Sequence, residues 1–441
     1  MENDLELPEG TEIVAVCAPD NAGRLIGKRL PAQQWAAILG AGLPMPNFHL
    51  VTGIENIPHE GFEVTGTHLG YPNGFLRPSV ETLCAVPWEP GTAIVISDVQ
   101  DASRGPVKQA PRAVLQRQIA RLERAGFSAT FASELEFYLF GESFADARRR
   151  GARCPRPSYH AHADNDLLIA GYDEDFVRDV RAAMAAMGIP IDASQGEGGA
   201  GQHEINLRYA GPLRMADRHV YYKHAVKAIA HRRGQAVTFM AKISADSPGS
   251  GGHVHLCLYD RAGQPAFGIA DLSPFGRSFL AGLLAYTPEL TVMHAPYANS
   301  YRRLQPGSFA PSNATWGWDN RSCLVRVVGQ GHACRFEFRA PGADANPYHS
   351  FSAIIAAGLA GVRQGLDPPP PVPGDAYAQA RAVRLPADLT EALAAFSASD
   401  VAARAFGPAV HRHLAALGER EREAARFAVT DWDLDRGLEN A

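Results

Sequence analysis

Apolar and β-branched residues cluster in short runs over the first hundred positions. Glu12–Cys17 is one such run, ending in the turn cluster Pro19-Asp20-Asn21-Ala22-Gly23. Thr92–Asp98 is a second strand, with a break following at Ser103-Arg104-Gly105-Pro106. Beyond the break the apolar period lengthens to that of helices. Pro111–Gly126 opens with proline in its first turn, closes on glycine and puts Leu115, Ile119 and Leu122 on one face. Amphipathic helices are also predicted over Asp173–Met187, Met215–Gly234 and Asn346–Val362, the last with Asn346 as N-cap and Pro347 at the first helical position. Short strands are predicted between them, at Ser133–Phe140, His203–Arg208, His253–Leu258, Cys323–Val328 and Cys334–Arg339. Pro368–Pro371 predicts an exposed polyproline stretch ahead of a helical tail. The pattern is α+β, with a small, mostly β unit over residues 1–105 and a larger mixed unit over 106–441. No internal repeat is visible.

Composition narrows the classes. The chain has 441 residues, 46% of them hydrophobic and 20% charged, which excludes wholesale disorder. Lys+Arg is 42 and Asp+Glu 47, so no basic excess exists to bind a phosphate backbone, and no nucleic-acid partner is expected. No apolar run reaches the roughly 18 residues of a membrane span. The acidic opening Met1–Gly10 lacks the charged-then-apolar order of a secretion signal. Cysteines 17, 84, 154, 257, 323 and 334 form no C-x-x-C pair, which predicts reduced thiols and a cytoplasmic chain.

Four segments carry candidate chemistry. In Glu134-Leu135-Glu136-Phe137-Tyr138-Leu139-Phe140 a strand sets two carboxylates on one face. Taken alone, the segment fits a pair of metal ligands or an exposed strand face. Glu197-Gly198-Gly199-Ala200-Gly201-Gln202-His203-Glu204 flanks a glycine-rich turn with acids, compatible with close approach to a ligand or with a flexible turn. Gly249-Ser250-Gly251-Gly252 leads into His253-Val254-His255, two imidazoles on one strand face, which suits a metal or an anionic substrate. Arg335-Phe336-Glu337-Phe338-Arg339 alternates charge and aromatic, with Arg302, Arg303, Arg321 and Arg326 upstream, an order that suits phosphate and carboxylate better than a solvated face. Five glutamates with histidine suit Mg2+ or Mn2+, and arginines beside such ions suit phosphoryl transfer. Neither a P-loop nor a kinase signature set occurs.

In their order these segments resemble the glutamine synthetase family. Asn299-Ser300-Tyr301-Arg302-Arg303-Leu304-Gln305-Pro306-Gly307, Asn320-Arg321-Ser322 and Asn346-Pro347-Tyr348 extend the resemblance, and Gly70-Tyr71-Pro72 and Pro87-Trp88 are weaker matches. The resemblance implies a β-grasp N-terminal domain over 1–105 and a catalytic domain over 106–441 with a curved antiparallel sheet. It implies two stacked hexamers, a dodecamer, with active sites between neighbours. It implies ATP and two or three Mg2+ (or Mn2+) as cofactors. One metal would be held by Glu136, Glu197 and Glu204, the other by Glu134, His253 and Glu337. Arg303 and Arg339 would grip glutamate, with Gly249 supplying backbone contacts. Arg321, Arg326 and Arg335 would meet the phosphates, and His255, Tyr209 and Asp192 the nucleotide. Arg303, Arg321 and Arg339 would be the catalytic arginines of a reaction that makes γ-glutamyl phosphate and lets an amine attack it.

Where the chain departs from the family, the departures cluster at the ammonium half-site. Ammonia-using members carry a glutamate after the Pro-Gly pair; here Pro306-Gly307-Ser308-Phe309 places Phe309 there. Asn73 replaces the aspartate after Gly-Tyr-Pro, and no Asp-Gly-Ser-Ser motif is recognisable between Gly53 and Gly66. Asp192 for a glutamate, Pro248 for an asparagine and Cys257 for a serine are lesser changes, and the tyrosine modified in adenylylated members is not evident. An aromatic ring offers a small cation no charge. The expected activity is therefore that of the γ-glutamylamide and γ-glutamylpolyamine synthetase branch: an ATP-dependent ligase joining glutamate to a primary amine. The alternatives are an ammonia-dependent glutamine synthetase, a silent regulatory member, or a kinase of another acid or guanidine. No general base for the amine is identified; His59, Glu60 and Glu63 lie in the relevant stretch.

Overall fold

The computed structural model describes residues 6–151, 155–268 and 271–440. Cys154 and the first five residues of the acidic opening lie outside them; the other five cysteines are free thiols. Six strands form a first sheet: β1 (Ile13–Pro19), β2 (Leu25–Pro31), β3 (Leu43–Pro46), β4 (Asn73–Pro78), β5 (Cys84–Ala85) and β6 (Thr92–Gln100), in the order β2-β1-β6-β4-β3 with β5 on β6. β1 and β6 run parallel at its centre, and their apolar runs are continuous because both faces are covered. Val14, Val16, Val95 and Val99 pack under Trp35 and Ile38 of the helix Trp35–Ala41. Cys17, Ile94 and Ile96 face the other way, into the core that holds Val114 and Leu115. This is the β-grasp arrangement.

The second sheet contains β7 (Ser128–Phe140), β8 (Ile191–Gly196), β9 (Gln202–Ala210), β10 (Ala236–Thr238), β11 (Val254–Tyr259), β12 (Trp316–Trp318), β13 (Val325–Val328) and β14 (Arg335–Phe338). Their order is β12-β13-β14-β11-β7-β9-β8, with β10 on β7. The sheet is antiparallel except at its edge, where β12 lies parallel to β13. One side of it is packed by Glu174–Ala186, Pro212–Arg232 and Pro347–Gln364, which bury apolar stripes in one core with the sheet. The helix Pro274–Leu290 crosses Pro347–Gln364 at close range: a Cβ on Gly282 would stand 2.3 Å from the Ala357 carbonyl, and one on Gly361 2.2 Å from that of Ser278.

An ionic cluster built around the buried pair Arg112–Asp217 joins the first sheet to the helices packed on the second. The Arg112 guanidinium, from the helix Pro111–Arg124, donates to Asp217 (3.1 and 3.2 Å), Asp98 (2.6 Å), Glu81 (3.0 Å) and Ser79 (2.7 Å). Tyr348 donates to the same Asp217 at 2.6 Å. Removing Arg112 strands Asp217 in low dielectric, whereas Asp98 and Glu81, 40% and 64% exposed, keep water. Arg112→Ala is expected to cost about 3 to 5 kcal/mol in denaturant unfolding, with Arg112→Lys recovering part of it. A loss below about 1 kcal/mol would mean that the cluster is solvated.

Candidate active site

The acids and histidines meet on one face of the second sheet because strand pairing brings distant segments into register. On β7, Leu135 and Phe137 point into the core, so Glu134 and Glu136 point away from it. Glu204 of β9 lies directly opposite Glu136. On the other flank His255 of β11 lies opposite Glu337 of β14, which in turn lies opposite Arg326 of β13. The glycine loop ahead of β11 continues the pairing, with the amides of Glu134 and Glu136 donating to the carbonyls of His253 and Gly251, each at 3.0 Å.

Two groups of donor atoms could each hold a metal ion, with every ligand atom within 4.8 Å of the others: Glu134, His255 and Glu337, and Glu134, Glu204 and His253. Glu134 belongs to both. His255 thus stands with the acids, its Nε2 2.6 Å from Glu134 Oε1, while Arg335 Nε donates to its Nδ1 at 3.1 Å. His253 Nδ1 is 3.4 Å from Glu134 and 3.7 Å from Glu337. Glu136 and Glu197 lie beside these groups rather than in them. Gln202 Nε2 donates to Glu136 at 3.1 Å, Asn206 to Glu204 at 3.0 Å and Gln195 to Glu197 at 3.1 Å. These amides were not singled out in the sequence, although Gln202, Glu204 and Asn206 alternate on one strand and share its face.

The acids carry more negative charge than the protein neutralises. Burial, then Glu197, pushes Glu136 up to about 7, against the pull of Arg303. Burial and the neighbouring Glu134 and Glu136 raise Glu204 as well. Glu337 goes the other way: burial opposes ionisation, but Arg339 and the histidines hold it down to about 2. Hard oxygen donors that cannot all ionise together, with one or two imidazoles among them, are what a divalent cation requires. A test follows from Glu136. Folded, it keeps its proton up to about pH 7; the ordinary value is 4.5. Its ionisation therefore destabilises the cation-free fold as pH rises through that window, by at most about 3 kcal/mol. With chelator, Glu136→Gln is expected to melt above wild type at pH 8, to lose that advantage at pH 5, and to fall below wild type when Mg2+ is added. Identical melting at both pH values would show that Glu136 ionises freely.

Beside the acids lies a basic wall. Arg303 is buried, donating to the carbonyls of Ala340 (3.0 Å) and Arg339 (3.2 Å), with His253 Nε2 at 3.3 Å. Burial pulls it to about 10, so it stays charged at neutral pH. Gly249 packs against it; a Cβ there would come within 2.7 Å of Arg303 Cγ. Arg339 is also buried. It is hydrogen-bonded to Glu337 and donates to the Phe309 carbonyl at 3.0 Å, and its Nε–H has no partner among the described residues. Phe309 has φ of 57° and a ring 70% exposed. Arg326 bridges Glu337 (2.7 Å) and Asp319 (2.8 Å).

The remaining candidates lie further out. Asp192 pairs with Arg208 at 2.7 Å on the edge strand β8. Tyr209 is 64% exposed at a bulge in β9, where two residues face one on β7 and the alternation of faces breaks. Arg321 lines a cleft with Phe309 and Trp318. Of the possible bases, Glu60 accepts from Thr67 and Tyr71 and Glu63 pairs with Arg412, so both bond within their own surroundings.

The model of the glutamine synthetase catalytic domain matches residues 108–437. The chain belongs to the glutamine synthetase family. It is 38% identical to the γ-glutamylethanolamide synthetase GlnA4 of Streptomyces coelicolor, over 97% of this chain and 93% of that one. It is 36% identical to a glutamate–isopropylamine ligase from a Pseudomonas species, over 86% and 84% of the two chains. Its fold matches a solved GmaS/ADP complex with a TM-score of 0.85 at 29% identity, covering 98% of this chain and 97% of that one. Among the described residues no helix is long and apolar enough to cross a membrane.

Proposed function

We propose that this chain is an ATP-dependent ligase that joins the γ-carboxyl of glutamate to a primary amine larger than ammonia, by way of γ-glutamyl phosphate. The observation that carries this reading is the pairing of two buried arginines with an exposed phenyl ring on the loop Pro306–Pro311, the flap. Arg303 and Arg339 can hold a dicarboxylate by charge-assisted bonds, while Phe309 brings apolar surface where ammonium would need a carboxylate. The names of the two relatives, an ethanolamide synthetase and an isopropylamine ligase, point the same way.

Residues 106–441 form the catalytic unit and 1–105 the N-terminal unit that a neighbouring copy lends to each site in a ring of two stacked hexamers, in the cytoplasm. Glu136, Glu197 and Glu204 would hold one Mg2+ or Mn2+, and Glu134, His253 and Glu337 another; of these, Glu204 meets Glu134 and His253 in one donor group, and Glu134 and Glu337 meet His255 in the other, while Glu136 and Glu197 stand beside them. Divalent ions bound there would supply charge neutralisation for the nucleotide's phosphates. Arg321, Arg326 and Arg335 receive the phosphates, and Asp192, Tyr209 and His255 the nucleoside end. Arg303 and Arg339, with the backbone at Gly249, fix glutamate so that its γ-carboxylate faces the γ-phosphate.

The test is glutamate-dependent phosphate release from ATP with ammonium, ethanolamine, putrescine, spermidine and aromatic amines, each product identified by mass. Release coupled to a γ-glutamylamide of at least one organic amine is the expected result. Release with none of them, or with ammonium alone, would overturn the reading.

A further inference from the structure

We propose that the cleft between Gly307–Phe309, Trp318–Ser322 and Pro373–Tyr377 holds the organic tail of the acceptor amine, with Phe309, Trp318 and Tyr377 as its walls and Asp375 as the acceptor for a polar far end. This assignment rests on the ligase reading above and names the acceptor class: a short-chain primary amine whose distal end carries a hydrogen-bond donor.

The cleft offers about 520 Å³ and is broadly open to solvent. It is built rather than incidental. Asn320 Nδ2 donates to the carbonyls of Val372 (2.9 Å) and Gly374 (2.7 Å), and the Ala376 amide donates to Ser322 Oγ at 3.0 Å. Asn313 Nδ2 fixes the Ala376 carbonyl at 2.8 Å. The segment carrying Asp375 and Tyr377 is thereby pinned to the loop after Trp318, and a wall fixed before binding costs a ligand little ordering entropy. Trp318 is the outer member of a pair with Trp316, their ring centroids 6.1 Å apart; Trp316 is buried and tied to the Pro369 carbonyl at 2.7 Å. Phe309 sits in the left-handed backbone region, a conformation that costs a non-glycine residue about 1 to 3 kcal/mol, and its ring is left facing water. The flap is held there from both sides. Arg339 donates to the Phe309 carbonyl, and Tyr377 Oη donates to the next carbonyl, that of Ala310, at 3.1 Å.

That bridge connects the cleft to the arginine wall, so an amine nitrogen directed toward Arg339 would lay its carbon chain between the three rings. Aromatic faces attract both methylenes and an ammonium group, tryptophan most strongly. Asp375 accepts the Tyr377 amide through one carboxylate oxygen at 2.8 Å, and its carboxylate has no other hydrogen bond or ion pair among the described residues. Its second oxygen can take a hydroxyl or a second ammonium. Asp319, the other acid of the cleft, is engaged by Arg326, and Arg321 lines the same cleft, so the amine tail shares it with an arginine assigned above to the phosphates.

The experiment measures kcat/KM at saturating ATP and glutamate for methylamine, propylamine, butylamine and 4-amino-1-butanol, in wild type, Trp318→Ala, Trp318→Phe and Asp375→Asn, with thermal melts to establish folding. Each methylene buried against the rings is worth about fourfold. Trp318→Ala is expected to cut the butylamine-to-methylamine ratio at least about tenfold, with Trp318→Phe in between. Asp375→Asn is expected to cut the preference for 4-amino-1-butanol over butylamine by about tenfold. Wild type that ranks amines by length while both variants keep its ranking overturns the cleft assignment alone. Wild type that turns over ammonium only overturns the ligase reading, and the cleft assignment with it.

Discussion

Arg339→Ala is expected to lower kcat/KM at least about a thousandfold with every amine acceptor, while the protein stays folded. Arg339 is 4% exposed, and its Nε–H lacks a partner among the described residues. A buried guanidinium donor left unmade costs free energy unless a ligand completes it. A positioned charged donor of this kind accounts for about 10²- to 10³-fold in rate, and bidentate binding of carboxylate or phosphate adds to that. The fold should survive because Glu337, which loses Arg339, keeps Arg326 at 2.7 Å. Arg339→Lys, which keeps the charge but not the fork, should recover only a small part of the activity. Steady-state kinetics with a thermal melt of each variant decide the matter. Near-normal turnover in a folded Arg339→Ala protein would show that this arginine is structural.

Glu134→Gln is expected to have the second large effect. Glu134 is the one residue shared by both candidate donor groups, and the amide keeps its shape while removing its charge. Burial works against its ionisation, yet the bonds from His253 and His255 hold its carboxyl well below the usual range, so the charge is present at every working pH. Calorimetric titration with Mn2+ should show affinity at least about a hundredfold weaker, and amide synthesis should fall about a thousandfold. Unchanged Mn2+ affinity would move the cation site elsewhere.

How far the sequence carried the fold depended on local signals. The helix starting at Pro111 and the one with Asn346 as N-cap were legible because proline and asparagine mark helix starts: the structure has Pro111–Arg124 and Pro347–Gln364, with Asn346 Oδ1 accepting from the Tyr348 amide at 3.0 Å. The helix Pro274–Leu290 was not picked out, although Ser273 caps it, because it is apolar on most sides and shows little period. In the first sheet β2 was missed: Leu-Ile-Gly-Lys-Arg-Leu-Pro is an edge strand, polar and half exposed, without the apolar run of β1. Within the site, the side-by-side placement of Glu134 and Glu136 followed from strand alternation alone. That Glu204 lies opposite Glu136, and His255 opposite Glu337, is a matter of register between strands far apart in sequence, on which local pattern is silent. The same blindness hid the second partners. Tyr377 reaches the Ala310 carbonyl, and Asp375 lines the cleft beside it, because Asn320 fixes a segment more than fifty residues further on.

In the proposed reaction the acceptor is an organic amine, and an apolar flap makes it so. The most direct measurement compares kcat/KM for ammonium with that for several primary amines, in wild type and in Phe309→Glu. Ammonium has no tail with which to offset its desolvation, which costs several kcal/mol for an unpaired charge, whereas each buried methylene returns about 0.8 kcal/mol. Wild type is expected to favour the larger amines, and Phe309→Glu to gain activity with ammonium. Efficient glutamine formation by wild type, with no turnover of any larger amine, would contradict the account.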